Sequence, residues 1–275
     1  MFVFKGATDT SFVKLFIDKI IGLKGAKMEK PIKILGVMPR YLRPRAIFKI
    51  TAPFFQRERR AYRKLLKITG KKWILYHQEQ IALDKCFWMG VPILKNPLDA
   101  WIYQEIIHEV KPDVIIEIGS YHGGGTLFLA HLLDIIGKGH VISIDITRET
   151  YRAKHERIID ITGDSASEDT IARVAALCEG KTALVIQDAN HSRSNVLKDI
   201  ESYSRFVTCG SYFIIEDGVV ELFGPKPKLF GLYPDGGPLS ATEEFIIKNR
   251  DFIVDKERER YLITYNPKGF LKRIR

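Results

Sequence analysis

The sequence predicts an α/β fold in which helices cover both faces of a mostly parallel sheet. From residue 111 onward, short apolar stretches alternate with amphipathic stretches of helical length, as in parallel sheets covered by helices. The apolar stretches "DVIIEIG" and "ALVIQD" lack an inside–outside alternation, which indicates strands buried on both faces. Ligands of such folds bind outside the carboxyl ends of the strands, so the residues that follow each strand are the candidates for a site.

The predicted elements follow one another regularly. Strands are expected at 113–119, 140–146, 183–188 and 210–218, and helices at 125–137, 167–177 and 194–207. Further along, "DFIVD" (251–255) and "RYLITYN" (260–266) flank residues 256–259 and predict an antiparallel pair that closes one sheet edge. The Gly- and Pro-rich segment 223–245 predicts a mobile lid over an acceptor, with an ordinary surface loop as the alternative.

The first 80 residues predict a separate basic, helical extension before a catalytic domain at 81–275. Of the net charge of +10, this extension carries +14, from 19 Lys and Arg against 5 Asp and Glu. A first helix is expected after a cap at Asp9 or Thr10, to pack against the domain or a partner subunit or to lie on an anionic membrane surface. A second is expected over 56–72, with Gly70 as its stop. Its charges favour a solvated face over nucleic-acid binding. The apolar positions of the first helix are Phe12, Leu15, Phe16, Ile20 and Leu23.

The spacing of the cysteines and the hydropathy of the sequence indicate the cellular compartment of the protein. Cys86, Cys178 and Cys209 are widely spaced and form no CxxC pair, which argues against a disulfide framework or a zinc site. The start "MFVFKGATDT" has no long apolar core typical of a secretory signal, and no run reaches the ~18 apolar residues that span a membrane. We therefore expect a soluble, cytoplasmic protein.

A glycine-rich turn follows the first predicted strand. The order is Glu117, Ile118, Gly119, Ser120, Tyr121, His122, Gly123, Gly124, Gly125. Glycines let the backbone turn sharply and approach a ligand, and the following helix presents free N–H groups. The spacing is not GxGxxG, because Tyr121 stands where the second glycine would be.

Two polar positions after the next strand complete a candidate nucleoside site. Asp145 ends that strand 26 residues after Gly119, where a carboxylate accepts hydrogen bonds from both hydroxyls of a ribose. This suits NAD and S-adenosylmethionine alike. Asp164 and Ser165, in "TGDS", form a polar loop that faces an adenine in this interpretation.

Three carboxylates follow two further strands. Asp188 ends "VIQD", and Glu216 and Asp217 end "FIIED". If the strands are neighbours, the carboxylates converge, and a hard divalent cation such as Mg²⁺ is the natural neutraliser. His191, three residues after Asp188, lies where a general base beside the metal would stand. Taken singly, these residues are also compatible with a helix cap, an exposed acid and a loop histidine.

Together the motifs resemble the cephalosporin hydroxylase/rhamnosyl O-methyltransferase family, to which the macrocin O-methyltransferases are related. The matching segments are "FWMGVPILKNPLDAWIYQEII", "KPDVIIEIGSYHGGGTL", "VISIDI", "GDS", "IQDANHS", "GSYFIIEDG" and "YLITYNPKGFLKR". The resemblance extends from about residue 86 to the end. Family members commonly carry serine where this chain has Gly125, so a hydroxyl is missing from the glycine-rich loop.

The resemblance implies a Rossmann-like class I methyltransferase fold, whose seven-stranded sheet has a final antiparallel strand inserted beside the fifth. It implies that S-adenosylmethionine binds at the glycine-rich loop and the residues near it, and that three carboxylates bind Mg²⁺. His191 would be the base. Asp188 would take part in catalysis and would contact both the cofactor and the metal ion. The cofactor residues in this interpretation are Glu117, Gly119, Ser120, Tyr121, Gly123, Gly124, Asp145, Asp164, Ser165 and Asp188, and the metal ligands are Asp188, Glu216 and Asp217.

The expected activity is therefore methyl transfer from S-adenosylmethionine to a hydroxyl, with Mg²⁺ and a sugar or glycoside acceptor. The expected assembly is a homo-oligomer without nucleic acid. A cephalosporin hydroxylase-like oxygenase is an alternative, although non-haem iron usually takes two histidines and one carboxylate. A nicotinamide dehydrogenase is a weaker one, because the glycine spacing differs. A non-catalytic S-adenosylmethionine-binding or membrane-surface protein is the third.

Overall fold

The computed structural model describes residues 67–223 and 234–275. All of them except Lys67 belong to one compact unit, Ile68–Arg275. Its first helix, α1 (Gly70–His77), is capped by Thr69, whose hydroxyl accepts a hydrogen bond from the Lys72 N–H at 3.4 Å. Gly70 therefore begins a helix, and its prediction as a helix stop is wrong because Thr69 supplies the start signal.

Helix α1 belongs to the same unit as the predicted catalytic domain. Ile74 packs with Val219 and Tyr265 in a small apolar cluster. His77 Nδ1 and the Tyr265 hydroxyl share a hydrogen bond of 2.6 Å. The unit thus starts at Ile68, before the predicted boundary at residue 81, because residues 70–77 bury apolar surface against it.

The remaining elements alternate as predicted, except that β5 follows β4 without a helix between them. Parallel strands and helices run from α2 to β7, with a hairpin before them and an antiparallel pair after them. They are β1 (Phe87–Trp88), β2 (Val91–Pro92), α2 (Pro97–Val110), β3 (Val114–Ile118), α3 (Gly124–Ile136), β4 (His140–Asp145), β5 (Ile158–Thr162), α4 (Glu168–Cys178), β6 (Ala183–Gln187), α5 (Arg193–Tyr203), β7 (Tyr212–Ile215), α6 (Pro238–Lys248), β8 (Phe252–Val254) and β9 (Phe270–Arg273).

The main sheet has seven strands in the order β5-β4-β3-β6-β7-β9-β8. The first five are parallel, and β9 is antiparallel to both of its neighbours. The expected Rossmann-like methyltransferase fold, with its antiparallel strand beside the fifth parallel one, is confirmed. Because β3 is the central strand at which the order reverses, its carboxyl end marks the crevice where ligands bind in such sheets.

Helices cover both faces of this sheet. On one face, Ile116 and Val185 pack with side chains of α4, α5 and α6, including Val174, Ile200 and Phe245. On the other face, residues of α2 and α3 pack against the alternate strand positions; these residues include Ile102, Ile106, Phe128, Leu129, Ile115, Leu184 and Ile214. Burial on both faces explains why the strands read as continuous apolar runs.

Strand β5 was not predicted from the residue pattern. It lies at the sheet edge, paired only with β4. Of its five residues only Ile161 is buried, while Asp160 and Thr162 are exposed. An edge strand with one buried position has too weak an alternation of apolar and polar residues to be distinguished from the polar loop that follows it.

The predicted antiparallel pair has one correct strand and one wrong one. Strand β8 lies within 251–255, but its partner is β9 at 270–273, and residues 260–266 form no strand. Leu262 has a φ of 66°, and the Tyr265 N–H donates to the Asp99 carboxylate at 2.7 Å. This segment is thus a loop fixed to the start of α2.

The predicted lid is in part a packed helix. Residues 238–248 form α6, in which Ala241 and Phe245 belong to the core. Pro238 at the first helical position favours this start. Residues 224–233 lie outside the described part of the chain, as do the helix predicted around Phe12 to Leu23 and residues 56–66 of the second predicted helix.

Two observations concern the cysteines and the helices. Cys86, Cys178 and Cys209 are free thiols. Among the residues that the structure describes, each helix is too short or too polar to cross a bilayer.

Candidate functional site

A cavity of about 560 Å³ opens at the carboxyl ends of the parallel strands. It collects the predicted site residues from five segments of the chain, and Gly123 alone of them lies outside its wall. The predicted residues that line it are Glu117, Gly119, Ser120, Tyr121, Gly124, Asp145, Asp164, Ser165, Asp188, His191, Glu216 and Asp217. The residues predicted at the strand ends therefore lie around one continuous cavity.

Gly119, directly after β3, lies against the backbone of Asp188, directly after β6. Its φ is +88°, and a Cβ there would lie 2.1 Å from the Asp188 carbonyl oxygen. The Gly119 N–H donates to the Ile144 carbonyl at 2.8 Å, which joins the turn to β4. A side chain at this position is excluded both by the left-handed backbone conformation of Gly119 and by the nearby backbone of Asp188. Gly123, with φ +86°, caps α3 behind the cavity.

The Asp145 carboxylate holds the glycine-rich turn. Its Oδ2 accepts hydrogen bonds from the N–H groups of Ser120 and Tyr121, both at 2.8 Å. Burial raises the pKa of Asp145, but these backbone hydrogen bonds outweigh burial and leave the pKa below its usual value. Asp145 is therefore ionised at neutral pH and combines a structural contact with a position at the cavity wall.

The loop after β5 is stabilised by an acid that the sequence did not indicate. Ser165 Oγ donates to Asp199 Oδ1 at 2.7 Å, and Gln187 Nε2 donates to Asp199 Oδ2 at 3.2 Å. Asp164 Oδ1 accepts from the Ala166 N–H at 2.9 Å, which closes a turn. Asp199 on α5 thus fixes the position of Ser165 at one end of the cavity.

Asp188, His191 and Asp217 come together at the other end. Each offers one ligand atom, and these atoms lie within 4.8 Å of one another. His191 Nε2 is 3.2 Å from Asp217 Oδ2. Asp217 has a φ of 59°, and its N–H donates to Asn266 Oδ1 at 3.1 Å. Asn266, from the loop that was mistaken for a strand, therefore positions the Asp217 backbone.

Lys95 is the main site residue that sequence reasoning missed. It precedes α2, and its Nζ donates to Asp188 Oδ2 at 3.0 Å and to Glu216 Oε1 at 2.5 Å. Its side chain is only 5% exposed. Glu216, buried beside it, is thus paired with an ammonium and is not in the group formed by Asp188, His191 and Asp217.

The protonation states follow from these contacts. Burial disfavours the charge on Lys95, but the carboxylates of Asp188, Glu216 and Glu117 raise its pKa above the usual range, so it is an ammonium. Burial and the Asp188 charge raise the pKa of Glu216 to about 8, against the opposing effect of Lys95. Burial lowers the pKa of His191, but the hydrogen bond and charge of Asp217, with help from Asp188 and Glu216, raise it to about 9.

The donor set fits a hard divalent cation in part. Asp188 and Asp217 supply carboxylate oxygens, the ligands that Mg²⁺ prefers, and both side chains are about a quarter exposed to the cavity. Glu216 faces Lys95 instead. The residues present therefore suit a cation held by two carboxylates beside an imidazole.

Comparisons with known proteins agree with this architecture. A family model described as rhamnosyl O-methyltransferase/CmcI matches residues 80–274. A rhamnosyl O-methyltransferase of Mycobacterium leprae is 32% identical over 68% of this chain and 82% of its own length. A rhamnosyl O-methyltransferase of Mycobacterium bovis is 29% identical over 74% of this chain and 82% of its own length.

Solved structures show the same fold. A CmcI structure with Mg and SAM is 24% identical, has a TM-score of 0.54 and matches 69% of this chain and 77% of its own. A CmcI apo-structure is 25% identical, with a TM-score of 0.53, over 69% of this chain and 76% of its own.

Proposed function

Because the chain belongs to the rhamnosyl O-methyltransferase/CmcI family, we propose that it transfers a methyl group to a hydroxyl of a sugar or glycoside, with a divalent cation at Asp188 and Asp217. Family membership makes it an S-adenosylmethionine-dependent O-methyltransferase. The names of the mycobacterial relatives support a deoxysugar acceptor. The observation that carries the proposal is the convergence of two carboxylates and an imidazole at the mouth of the cavity that also contains Asp145 and the glycine-rich turn.

In this proposal the cavity has a cofactor end and an acceptor end. Asp145, ionised at the wall, binds the ribose hydroxyls through oxygen lone pairs that the turn does not use. Ser165, fixed by Asp199, contributes to the nucleoside end of the cavity. S-adenosylmethionine supplies an electrophilic methyl group on sulfur. Mg²⁺ at the acceptor end supplies positive charge close to the reacting hydroxyl.

His191 is proposed as the general base. Its Nε2 lies against Asp217. A cation held by Asp217 would draw that carboxylate away from Nε2, and the imidazole would then be able to accept the proton of the hydroxyl. The hydroxyl oxygen forms a bond to the methyl carbon, the carbon–sulfur bond breaks, and its electron pair stays on sulfur. The proton remains on His191 until it passes to water.

The acceptor class is tested with methyl-labelled S-adenosylmethionine and a panel of rhamnosides, other glycosides and a catechol, each with Mg²⁺ or with EDTA. We expect label in the glycosides and its loss with EDTA. Label in the catechol but not in any glycoside would exclude a sugar acceptor. Equal labelling with EDTA would exclude a divalent cation from the reaction.

Removing one charge from the proposed metal ligands should weaken metal binding. Asp188→Asn and Asp217→Asn keep the side-chain size, and both are expected to lower Mg²⁺ affinity and to regain part of their activity in excess metal, because each loses a carboxylate ligand. Calorimetric titration with Mg²⁺ measures this. Asp164→Asn, at the other end of the cavity, is the control and should bind Mg²⁺ like the parent. Parent-like titrations of both ligand variants would show that the carboxylates are structural.

Asp145→Ala should weaken S-adenosylmethionine binding by about 1–3 kcal/mol, the range for leaving hydrogen-bonding partners without an acceptor. The loss includes the Ser120 and Tyr121 N–H groups, which the carboxylate also holds. Asp160→Ala removes an exposed acid from the neighbouring strand and serves as the control. Calorimetry on the folded variants measures the affinity for S-adenosylmethionine. An unchanged affinity of Asp145→Ala would show that Asp145 does not bind the cofactor.

A further inference from the structure

Arg148 joins the carboxyl ends of three neighbouring strands beside the glycine-rich turn. Its Nη1 donates to Ser120 Oγ at 2.7 Å and to Ser143 Oγ at 3.0 Å. Its Nη2 donates to the carbonyl oxygens of Ser143 at 2.5 Å and Ile161 at 2.9 Å. Ser143 and Ile161 belong to β4 and β5, and Ser120 follows β3. One guanidinium thus fixes the turn after β3 to the next two strands of the sheet.

The guanidinium is held mainly by these hydrogen bonds and only weakly by an ion pair. The Arg148 side chain is 19% exposed, and its Cζ lies 4.4 Å from the centre of the Tyr151 ring. Asp160 Oδ1 is 3.5 Å from Nη1, but the Asp160 side chain is half-exposed, so water weakens this pair. The charge of Arg148 therefore acts chiefly on the polar groups that it contacts, and the Ser120 hydroxyl is one of them.

The Ser120 hydroxyl connects Arg148 to Asp145. A guanidinium has donors only, so Ser120 Oγ accepts from Arg148 and its own proton is available to Asp145 Oδ2, 3.3 Å away. The same Oδ2 accepts from the N–H groups of Ser120 and Tyr121. Asp145 Oδ1 accepts from the Thr147 N–H at 3.3 Å and keeps a lone pair for a ligand. These contacts together determine which carboxylate oxygen is left for a ribose.

We propose that Arg148 is a positioning residue that acts through the Ser120 hydroxyl to orient the Asp145 carboxylate toward the ribose of S-adenosylmethionine. The proposal rests on the ribose contact proposed above and adds the residue that sets its geometry. Its consequence is that the preference for a ribose over a deoxyribose depends on a side chain that is not part of the cavity wall.

The test compares S-adenosylhomocysteine with its 2′-deoxy analogue by calorimetry, without metal or acceptor. The parent should bind the ribose compound at least about tenfold more tightly, because the analogue lacks a hydrogen bond to a charged group. Arg148→Met and Ser120→Ala should each lower this preference by at least about threefold. The double variant should lower it no further than Arg148→Met does, because the two residues act in one chain of contacts. A merely structural residue would weaken the binding of both compounds alike and leave the preference unchanged.

Arg157→Met is the matched control. The Arg157 side chain is 21% exposed, close to the value for Arg148, and it also joins an acid, Asp134, to a backbone carbonyl, that of Gly139. Gly139 precedes β4 and lies at the opposite end of that strand from Asp145. The control variant should therefore keep the preference of the parent. Arg148→Gln, which is uncharged but keeps amide donors, is the second variant if Arg148→Met does not fold.

A parent-like preference in a folded Arg148 variant would overturn the proposal. Losses that add in the double variant would also overturn it, as would failure of both Arg148 variants to fold, which would show a role in folding alone. Asp145→Ala distinguishes this failure from that of the proposed ribose contact. If Asp145→Ala keeps the preference, the ribose contact itself is wrong; if Asp145→Ala loses it and Arg148→Met does not, only the role of Arg148 is wrong.

Discussion

Replacing His191 by alanine should slow methyl transfer by about 10²–10⁴-fold, the usual contribution of a positioned general base. Binding of S-adenosylmethionine and Mg²⁺ should stay nearly unchanged, because Asp145, Asp188 and Asp217 remain. The measurement is the single-turnover rate with a glycoside acceptor, together with calorimetry for both ligands. His108→Ala, which removes an exposed histidine at the end of α2, is the control.

The pH profile adds a second readout for His191. A base must be neutral to accept a proton, and the Asp217 contact raises the His191 pKa to about 9. In the metal-free protein the His191 imidazole, followed by NMR, should therefore titrate near that value. A cation bound by Asp217 would oppose the imidazolium charge, so the rate measured with Mg²⁺ should rise with pH through a step that lies below that value. His191→Ala should lack the step; if the variant retains it, the base is another group.

Gly119→Ala should cost about 3 kcal/mol or more of unfolding free energy, because strain from the backbone and from a clash combine. The new Cβ would lie 2.1 Å from the Asp188 carbonyl oxygen, which belongs to backbone and cannot swing away. Separation of β3 from the segment after β6 would also displace Asp188 from the site. Urea unfolding measures the stability, and calorimetry measures the cofactor affinity of the folded fraction.

Gly137 offers a control that separates the two sources of strain. It has a φ of +83°, close to the +88° of Gly119, but no atom lies within 4 Å of a Cβ placed there. Gly137→Ala should therefore cost only the left-handed backbone penalty of about 1–2 kcal/mol. Equal losses for both variants would mean that the close approach of Asp188 to Gly119 is not maintained in solution.

The sequence predicted the strand-end residues because parallel sheets bring the ends of distant strands to one edge. Asp145, Asp188 and Glu216 each follow a buried apolar run, so their positions could be inferred from periodicity alone. The roles of neighbouring side chains could not be inferred in this way. Asn266 was assigned to a strand, although its side chain accepts from the Asp217 N–H and donates to the Tyr103 hydroxyl.

Lys95 escaped prediction for a different reason. It lies 93 residues before Asp188 and 121 before Glu216, on a loop before α2 that has no strand or helix period. A lysine usually reaches solvent, so its burial depends on partners that only the folded chain brings near. The three acids are therefore not uncompensated, because Lys95 supplies a positive charge from within the chain.

The late position of β9 in the chain affects how the protein is made. Strand β9 lies between β7 and β8, although it is synthesised after both of them. During translation, the edge of β7, with Tyr212, Phe213 and Ile214, stays unpaired until residues 270–273 have left the ribosome. An exposed apolar strand edge is a template for pairing with other chains. Slow translation or high expression should therefore favour aggregation of nascent chains, and chaperones that shield this edge should raise the soluble yield.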